Sequence, residues 1–213
     1  MARDASLAPT RIERRRAAVR DEALDHALAL MTEEGVGALT VSEVARRMGI
    51  RGPSLYKYFP SRHAMYDALF ARGLGAQQAA VRAAVDGVDR GLPRLRAGAR
   101  AVVRWAVEHP ASAQLLHWRP VPGFEPSPAV FAPAVDEMVD VRTEFAEAVR
   151  IGQLAPAADS DDAVRLYTVV LSGLISQQLA NQPGASFEDG VFSRLTDAAI
   201  DQFLSAYRPA TAP

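Results

Sequence analysis

The sequence contains no cysteine, which excludes disulfide bonds and thiolate metal sites. No apolar run approaches the roughly 18 residues that a membrane-spanning helix needs. The polar, arginine-rich start, MARDASLAPTRIERRR, is not followed by the apolar core of a secretory signal. We therefore expect a cytoplasmic protein with no membrane partner. The 213 residues, 49% hydrophobic and 23% charged, suffice for one or two globular domains with a sizeable core.

Patterns that carry catalysis are also missing. The four histidines, His26, His63, His109 and His117, are scattered and form no HxxxH or HExxH pattern. The chain has no glycine-rich phosphate loop, and no nucleophile stands in a recognisable pattern with a base or a pair of carboxylates. We expect no catalytic residue, no metal site, no cofactor and no enzymatic activity.

The segment Thr40–Phe59 has the pattern of two short helices joined by a tight turn. Thr40 and Glu43 form a Ser/Thr-x-x-Glu capping box, which starts a helix by satisfying its first free N–H groups. Gly49 can adopt the left-handed conformation that ends this helix, and Pro53 is tolerated in the first turn of the next one. Such a pair is a helix-turn-helix, whose second helix lies in the major groove when it binds DNA.

Short helix pairs also occur in many all-helical proteins, so the geometry alone leaves DNA binding open. The charge favours it, because residues 40–63 hold five arginines and lysines against the single acid Glu43, in a chain whose net charge is −1. Residues 1–63 carry a net charge of +3 and residues 64–213 one of −4. This asymmetry indicates one end that faces nucleic acid and a body that does not.

The run LTVSEVARRMGIRGPSLYKYFPSRHAMYDALF, roughly residues 39–70, resembles the DNA-binding region of the TetR family of bacterial transcriptional regulators. Its most specific parts are Gly49-Ile50 and the run from Ser54 to Ser61. Arg51 departs from the family by standing where a small Ser or Thr cap is usual. The resemblance implies an all-α fold of about nine helices, with an N-terminal three-helix helix-turn-helix domain and a C-terminal helical ligand-binding and dimerisation domain.

Within that fold we expect a disordered arm over residues 1–10, the DNA-binding domain over 11–60 and the effector-binding and dimerisation domain over 61–213. Helical periodicity predicts a first helix over 11–34 and a last one over 188–207. Between them, the proline-rich segment Trp118–Pro128 is either a lid over a ligand cavity or a surface crossover that packs its aromatic residues.

The candidate DNA contacts fall into two groups. Arg51 and Ser54 are candidates for base edges, because they open the second helix of the pair. The phosphate candidates are side chains with hydroxyl or cationic donors: Thr40, Ser42, Tyr56, Lys57, Tyr58, Arg62, Arg11, Arg14 and Arg15. The last three begin the first helix, where cations oppose the helix dipole; a phosphate contact explains them better than a solvated helix start.

The candidate effector contacts are the large side chains of the predicted fifth to eighth helices: Trp105, His109, Leu116, Trp118, Phe131, Met138, Phe145 and Tyr167. Aromatic and methionine residues at helical spacing are more often plain core, so that alternative stays open. If these residues line a cavity, its ligand is mainly apolar.

In the family that the chain resembles, the last two helices of each subunit pair into a four-helix bundle. The candidate dimer interface consists of small and amide residues on the eighth helix and apolar residues near the ninth: Ser172, Gly173, Ser176, Gln177, Ala180, Val191, Leu195 and Ala199. The alternative is a helix buried within a monomer.

Together these features predict a homodimeric, sequence-specific regulator whose partners are a double-stranded DNA operator and an unknown small-molecule effector. A repressor that an apolar ligand releases from its operator is the leading hypothesis. The alternatives are an activator or effector-independent DNA-binding protein, and then a helical ligand-binding or enzymatic module.

Overall fold

The computed structural model describes residues 10–209, and within that range the chain is all-helical with no strand. The fold class expected from the sequence is confirmed. The nine α-helices of this range are α1 (Arg11–Glu34), α2 (Val41–Arg47), α3 (Gly52–Tyr56), α4 (Arg62–Val85), α5 (Leu92–Glu108), α6 (Pro110–Trp118), α7 (Pro128–Arg150), α8 (Asp161–Asn181) and α9 (Thr196–Ser205). The expected disordered arm lies outside the described residues, except for Thr10.

The chain divides into two compact units, Met1–Leu69 and Phe70–Pro213. The division falls inside α4, whereas the sequence-based boundary was drawn just before this helix. None of the helices in the described range is long and apolar enough to cross a membrane.

The first unit is built on α1, α2, α3 and the start of α4. Its largest fully buried side chains include Leu30, Leu55, Phe59 and Tyr66, each at most 1% exposed. The Tyr66 hydroxyl donates a hydrogen bond of 2.5 Å to the carbonyl of Val36, which fixes the turn between α1 and α2 to the start of α4. These contacts hold the helix pair on an apolar base and leave its polar side chains outside.

The arginine-rich start of α1 is capped more completely than its sequence indicated. The Thr10 hydroxyl accepts from the Glu13 N–H at 3.2 Å, and the Glu13 carboxylate accepts from the Thr10 N–H at 2.7 Å. This reciprocal pair is a full capping box. It supplies an acidic residue in the first turn and so offsets the unfavourable arginines around it. The opposition between these arginines and the helix dipole is therefore weaker evidence for phosphate contact than the sequence suggested.

The second unit packs α5, α7, α8 and α9 around a core of aliphatic and aromatic side chains. Phe145 is fully buried and makes edge contacts with the rings of Tyr167 and Phe203, at centroid distances of 5.7 and 6.3 Å. The Tyr167 hydroxyl donates to the carbonyl of Leu95 at 2.6 Å. Burial of its ring raises the pKa of Tyr167. The hydroxyl therefore stays protonated and ties α8 to α5.

The sequence predicts that the last helix starts at residue 188, and this prediction is wrong. The helix begins at Thr196, and residues 188–195 form turns that end in a short 3₁₀ segment, Ser193–Leu195. The buried amide of Gln178 explains the difference, because its Oε1 accepts from the N–H groups of Phe192 at 3.0 Å and Ser193 at 3.1 Å. Those two N–H groups are thereby satisfied outside a helix.

Candidate nucleic-acid interface and ligand cavity

The helix pair α2 and α3 is joined by a turn in which Gly49 has φ of +68°. This left-handed conformation suits glycine, as the sequence indicated. Val44 and Leu55 are fully buried and anchor one face of each helix. Because these anchors fix the rotation of α3 about its axis, the side chains of Ser54, Tyr56 and Lys57 are left exposed.

The candidate DNA contacts lie on the surface of the first unit, apart from Tyr58, which is half-buried. Thr40 is the N-cap of α2, and its hydroxyl accepts from the Glu43 N–H at 3.1 Å. Arg51 is the N-cap of α3, but its side chain makes no capping hydrogen bond. An arginine cannot cap, since a guanidinium has no acceptor; because Arg51 is exposed, its guanidinium is available to a partner outside the chain. Six more candidates are exposed: Ser42, Ser54, Arg62, Arg11, Arg14 and Arg15.

The cations of the helix pair are not equivalent. Only half of the predicted capping box forms. The Glu43 N–H bonds to Thr40, but the Glu43 carboxylate accepts hydrogen bonds from Arg46 at 2.6 Å and from Arg47 at 3.2 Å. These two guanidinium groups lower the pKa of Glu43 to about 2. Arg47, only 18% exposed, also pairs with Glu33 at 2.7 Å and Glu34 at 2.8 Å.

Arg51 and Lys57, in contrast, form no ion pair within residues 10–209. An uncompensated surface cation attracts phosphate more strongly than one whose charge is already balanced by a neighbour. The positive charge offered to a nucleic acid is therefore concentrated at the start and end of α3 rather than spread over the helix pair.

Two arginines of α1 reach the end of α3, and the candidate DNA contacts did not include them. Arg20 donates from Nη1 to the carbonyl of Tyr58 at 2.7 Å, and its guanidinium carbon lies 4.6 Å from the ring centroid of Phe59. The guanidinium carbon of Arg16 lies 5.8 Å from the ring centroid of Tyr58. Arg20 satisfies a carbonyl just after α3, and so it positions the residues that follow Lys57. A cation whose partner is 38 residues away leaves no local sequence pattern.

The second unit contains a cavity of about 860 Å³. Its wall is formed by residues of α4 to α8, and its volume lies within the usual range of roughly 300–1,000 Å³ for small-molecule sites. The apolar part of the lining comes mainly from the following side chains: Phe70, Leu74, Val81, Leu95, Val102, Leu116, Phe131, Val141 and Leu171.

Four of the eight candidate effector contacts line this cavity: Leu116, Phe131, Met138 and Tyr167. The other four do not. Trp105 is buried and stacks on His109, Phe145 lies in the core, and Trp118 is 38% exposed on the surface.

No residue of 118–127 lines the cavity, although Phe124 of this segment is only 4% exposed. This favours a surface crossover over a lid. Within the described range, no group of three or more His, Asp or Glu residues is placed to hold a metal ion.

The candidate dimer residues lie along one partly exposed side of α8 and near the start of α9. On α8, Gly173, Gln177 and Ala180 are exposed and Ser176 is half-buried, whereas the half-buried Ser172 lines the cavity. Leu166 and Val169 extend the same stripe and are 49% and 64% exposed, which is high for large aliphatic side chains. Near α9, Val191 and Leu195 are 38% and 46% exposed, and Ala199 is half-buried.

Two family models match the chain. The first, described as bacterial regulatory proteins of the tetR family, covers residues 23–69, which contain the helix pair. The second, described as a tetracyclin repressor-like C-terminal domain, covers residues 95–203, which hold most of the second unit.

The chain is also similar to individual proteins. The HTH-type transcriptional regulator Rv1816 of Mycobacterium tuberculosis is 31% identical over 100 residues, which are 46% of this chain and 43% of that protein. This chain thus spans less than half the length of that relative. The solved structure of a protein designated SCO4313 is 28% identical, covers 93% of this chain and 100% of its own, and has a TM-score of 0.72.

A third comparison is with AibR, solved in complex with isovaleryl coenzyme A and operator DNA. It is 14% identical, covers 90% of this chain and 99% of its own, and has a TM-score of 0.67. At this identity the likeness shows the fold alone.

Proposed function

Because the chain belongs to the TetR family of bacterial regulatory proteins, we propose that it is a homodimeric repressor that binds operator DNA through α3. A small, mainly apolar molecule entering the cavity of the second unit would release it. Since its partner is DNA, the proposed place of action is the cytoplasm.

The observation that carries the proposal is the surface of α3. Leu55 anchors the helix from beneath, while Arg51 and Lys57 stand exposed at its two ends without an ion pair among the described residues. A short helix with a buried anchor and exposed cations suits insertion into a major groove between two phosphate backbones.

The exposed apolar stripe of α8 supports the homodimer. Two copies paired through this stripe would bury Leu166 and Val169 and bring small residues such as Gly173 into close contact. The α3 helices of the two copies, related by a two-fold axis, would then read two half-sites about 34 Å apart, one turn of the DNA helix.

The cavity supports the release step. Residues of α4 form part of its wall, and α4 continues into the first unit. A ligand that binds better to one position of α4 would shift the population of dimers towards that position. If this position of α4 sets the two α3 helices at a spacing that no longer fits the operator, the repressor dissociates.

The test is a salt titration of binding to DNA from upstream of the protein's own gene, with random DNA of equal length as reference. We expect tight, selective binding to the upstream DNA and a steep fall of affinity with salt. Equal, weak binding to both would mean that the operator does not lie in this upstream DNA. The absence of binding to either at low salt would refute the DNA-binding function.

Arg51 provides the sharper test of sequence reading. Because its guanidinium is exposed and unpaired among the described residues, Arg51→Ala should cost roughly 1–3 kcal/mol of operator binding. That loss should be confined to one base-pair position of each half-site, as measured with a set of single-substituted operators. An equal loss on random DNA would assign Arg51 to a phosphate instead.

A further inference from the structure

One side of α7 forms part of the cavity wall, and its residues recur at intervals of three and four positions, as neighbours on one side of a helix do. They are Ala134, Glu137, Val141 and Glu144, all half-buried. Glu137 lies between the two apolar residues of this set. A carboxylate at such a position needs a compensating partner, because burial from water penalises its charge.

The two glutamates on this side of α7 differ in their partners. Glu144 pairs with Arg90 at 3.0 Å and with Arg94 at 3.7 Å, and it also accepts from the N–H of Gly91 at 2.9 Å. Glu137 forms no ion pair within residues 10–209. It is therefore a half-buried carboxylate of the cavity wall that the described part of the chain does not neutralise.

The pKa of Glu137 reflects this incomplete compensation. Burial raises the pKa above the ordinary value of 4.5, and the like charge of Asp140 adds to the rise. A hydrogen bond from Gln78 and the charge of Arg82 act in the opposite direction but do not cancel the effect. Arg82 is exposed, so water screens its charge.

The Glu137 carboxylate lies near the inner wall of the cavity. Tyr167 of α8 lines the same cavity and is only 4% exposed. Burial, and after it the charge of Glu137, raises the pKa of the Tyr167 hydroxyl. Water and salt screen charges beyond roughly 10 Å, so the carboxylate is close to this hydroxyl. The hydroxyl donates its one proton to the carbonyl of Leu95 and therefore cannot also donate to Glu137.

We propose that the ligand of this cavity is a cationic amphiphile, in which a protonated amine pairs with the Glu137 carboxylate and an apolar body contacts the apolar side chains of the wall. The inference rests on the proposed function, in which this cavity holds the effector, and it adds the charge of that effector. The fold has already removed much of the water around the carboxylate, so the pairing has to desolvate mainly the amine. The hydrocarbon body is buried against side chains such as Phe70, Leu116 and Phe131.

The test uses three probes with the same eight-carbon chain: octylammonium, 1-octanol and octanoate. Their affinities for the full chain, without DNA, are measured by titration calorimetry below the concentrations at which they form micelles or separate from water. We expect octylammonium to bind most tightly and octanoate least tightly, because Glu137 attracts the first charge and repels the second. Either 1-octanol or octanoate binding as tightly as octylammonium would overturn the proposed ligand class.

A second measurement asks whether the amine contacts Glu137. Glu137→Gln keeps the size of the side chain and removes its charge, so it should weaken octylammonium binding roughly ten- to hundredfold, the value of a hydrogen bond to a charged group. 1-Octanol should bind this variant at least as tightly as the wild type, which also shows that the cavity is intact. The matched control is Glu147→Gln, because Glu147 lies on the same helix but pairs with Arg150 at 2.6 Å and does not line the cavity. This control should bind octylammonium as the wild type does.

Asp136→Asn separates a direct contact from a general attraction by the acidic wall. Asp136 lines the cavity but is exposed, so its loss should weaken octylammonium binding at most roughly threefold. An equal loss in Asp136→Asn and Glu137→Gln, or no loss in Glu137→Gln, would overturn the proposed contact. Failure of all three probes to bind the wild type would overturn the inference together with the apolar effector site. The salt titration on DNA would still report separately on the regulator itself.

Discussion

Lys57 is the only lysine in the sequence, and it stands exposed directly after α3. Its ammonium is a compact charge suited to a phosphate rather than to a base edge. We predict that Lys57→Ala weakens binding by a similar factor on operator and on random DNA, and lowers the slope of log affinity against log salt by about one unit.

The control for this prediction is Arg46→Ala. Arg46 is equally cationic but is paired with Glu43 at 2.6 Å, so its removal should change the salt slope less. Chemical modification gives an independent test, because amine reagents meet no other lysine side chain. Acetylation, which removes the charge, should reproduce the alanine result, and reductive methylation, which keeps it, should not. A loss confined to the operator sequence would show that Lys57 reads a base.

Arg20 is a positioning residue, since it lies on α1 and its hydrogen bond to the carbonyl of Tyr58 fixes the chain after α3. We predict that Arg20→Met lowers the free energy of unfolding by about 1–2 kcal/mol, because it removes a charged hydrogen bond and a cation–π contact. Urea unfolding measures this loss. DNA binding of the folded variant should weaken as well, because Tyr58 and its neighbours are less firmly placed.

The comparison variant for Arg20 is Arg15→Met, which removes an exposed cation from the same helix. Its free energy of unfolding should stay within about 0.5 kcal/mol of the wild type. If Arg20→Met is equally stable, the hydrogen bond to Tyr58 contributes nothing and the positioning role is refuted.

At the scale of elements, the start of a helix can be predicted where its cap is local. The prediction fails where the capping group lies far away in the sequence. Thr40, Ser61 and Ser160 each accept from an N–H three residues ahead, and each directly precedes a helix. The start of α9 depends instead on Gln178, whose amide reaches 14 and 15 residues along the chain. A capping box is visible in a window of four residues, whereas a buried amide that caps a turn is not.

Gln178 therefore carries an element-level prediction. Its Oε1 accepts from Phe192 and Ser193, and its Nε2 donates to the carbonyl of Gln182 at 2.9 Å. Gln178→Leu leaves these groups without their partner, the buried N–H of Ser193 among them, and should lower the free energy of unfolding by about 2–4 kcal/mol. Thermal or urea unfolding measures the effect.

Gln202→Leu is the matched control for Gln178, because Gln202 is exposed on α9 and its side-chain amide bonds to no described residue. Its stability should remain close to that of the wild type. Equal stability of Gln178→Leu and the wild type would mean that water or a rearranged turn replaces the lost bonds.

At the scale of the whole molecule, the proposed dimer can be tested by a pair of glycines. Gly173 on α8 and Gly75 on α4 are both exposed, and neither has an atom within 4 Å of where a Cβ would stand. In a single chain a Cβ at either position therefore meets no neighbouring element, and both positions face solvent.

We predict that Gly173→Arg converts the dimer to monomers in sedimentation experiments, because it places a bulky charge in the proposed interface. Gly75→Arg should remain dimeric. Operator affinity of Gly173→Arg should fall sharply, since a monomer reads only one half-site. A dimeric Gly173→Arg protein would refute the α8 interface.

The sequence by itself determined the fold class, the helix pair and the family, because each depends on short-range patterns. Capping residues, a glycine that permits the left-handed turn and apolar residues at helical spacing all act within a few positions. The motif around α2 and α3 is for the same reason the most recognisable part of the chain.

Only the tertiary structure decided which side chains are available for chemistry. Arg46 and Arg51 look alike in the sequence, but Arg46 is balanced by Glu43 and Arg51 is not. His117 and Trp118 are neighbours, yet the first lines the cavity and the second lies on the surface. Pairing and burial depend on residues far apart in the chain, brought together by helix packing, and that information is absent from any local pattern.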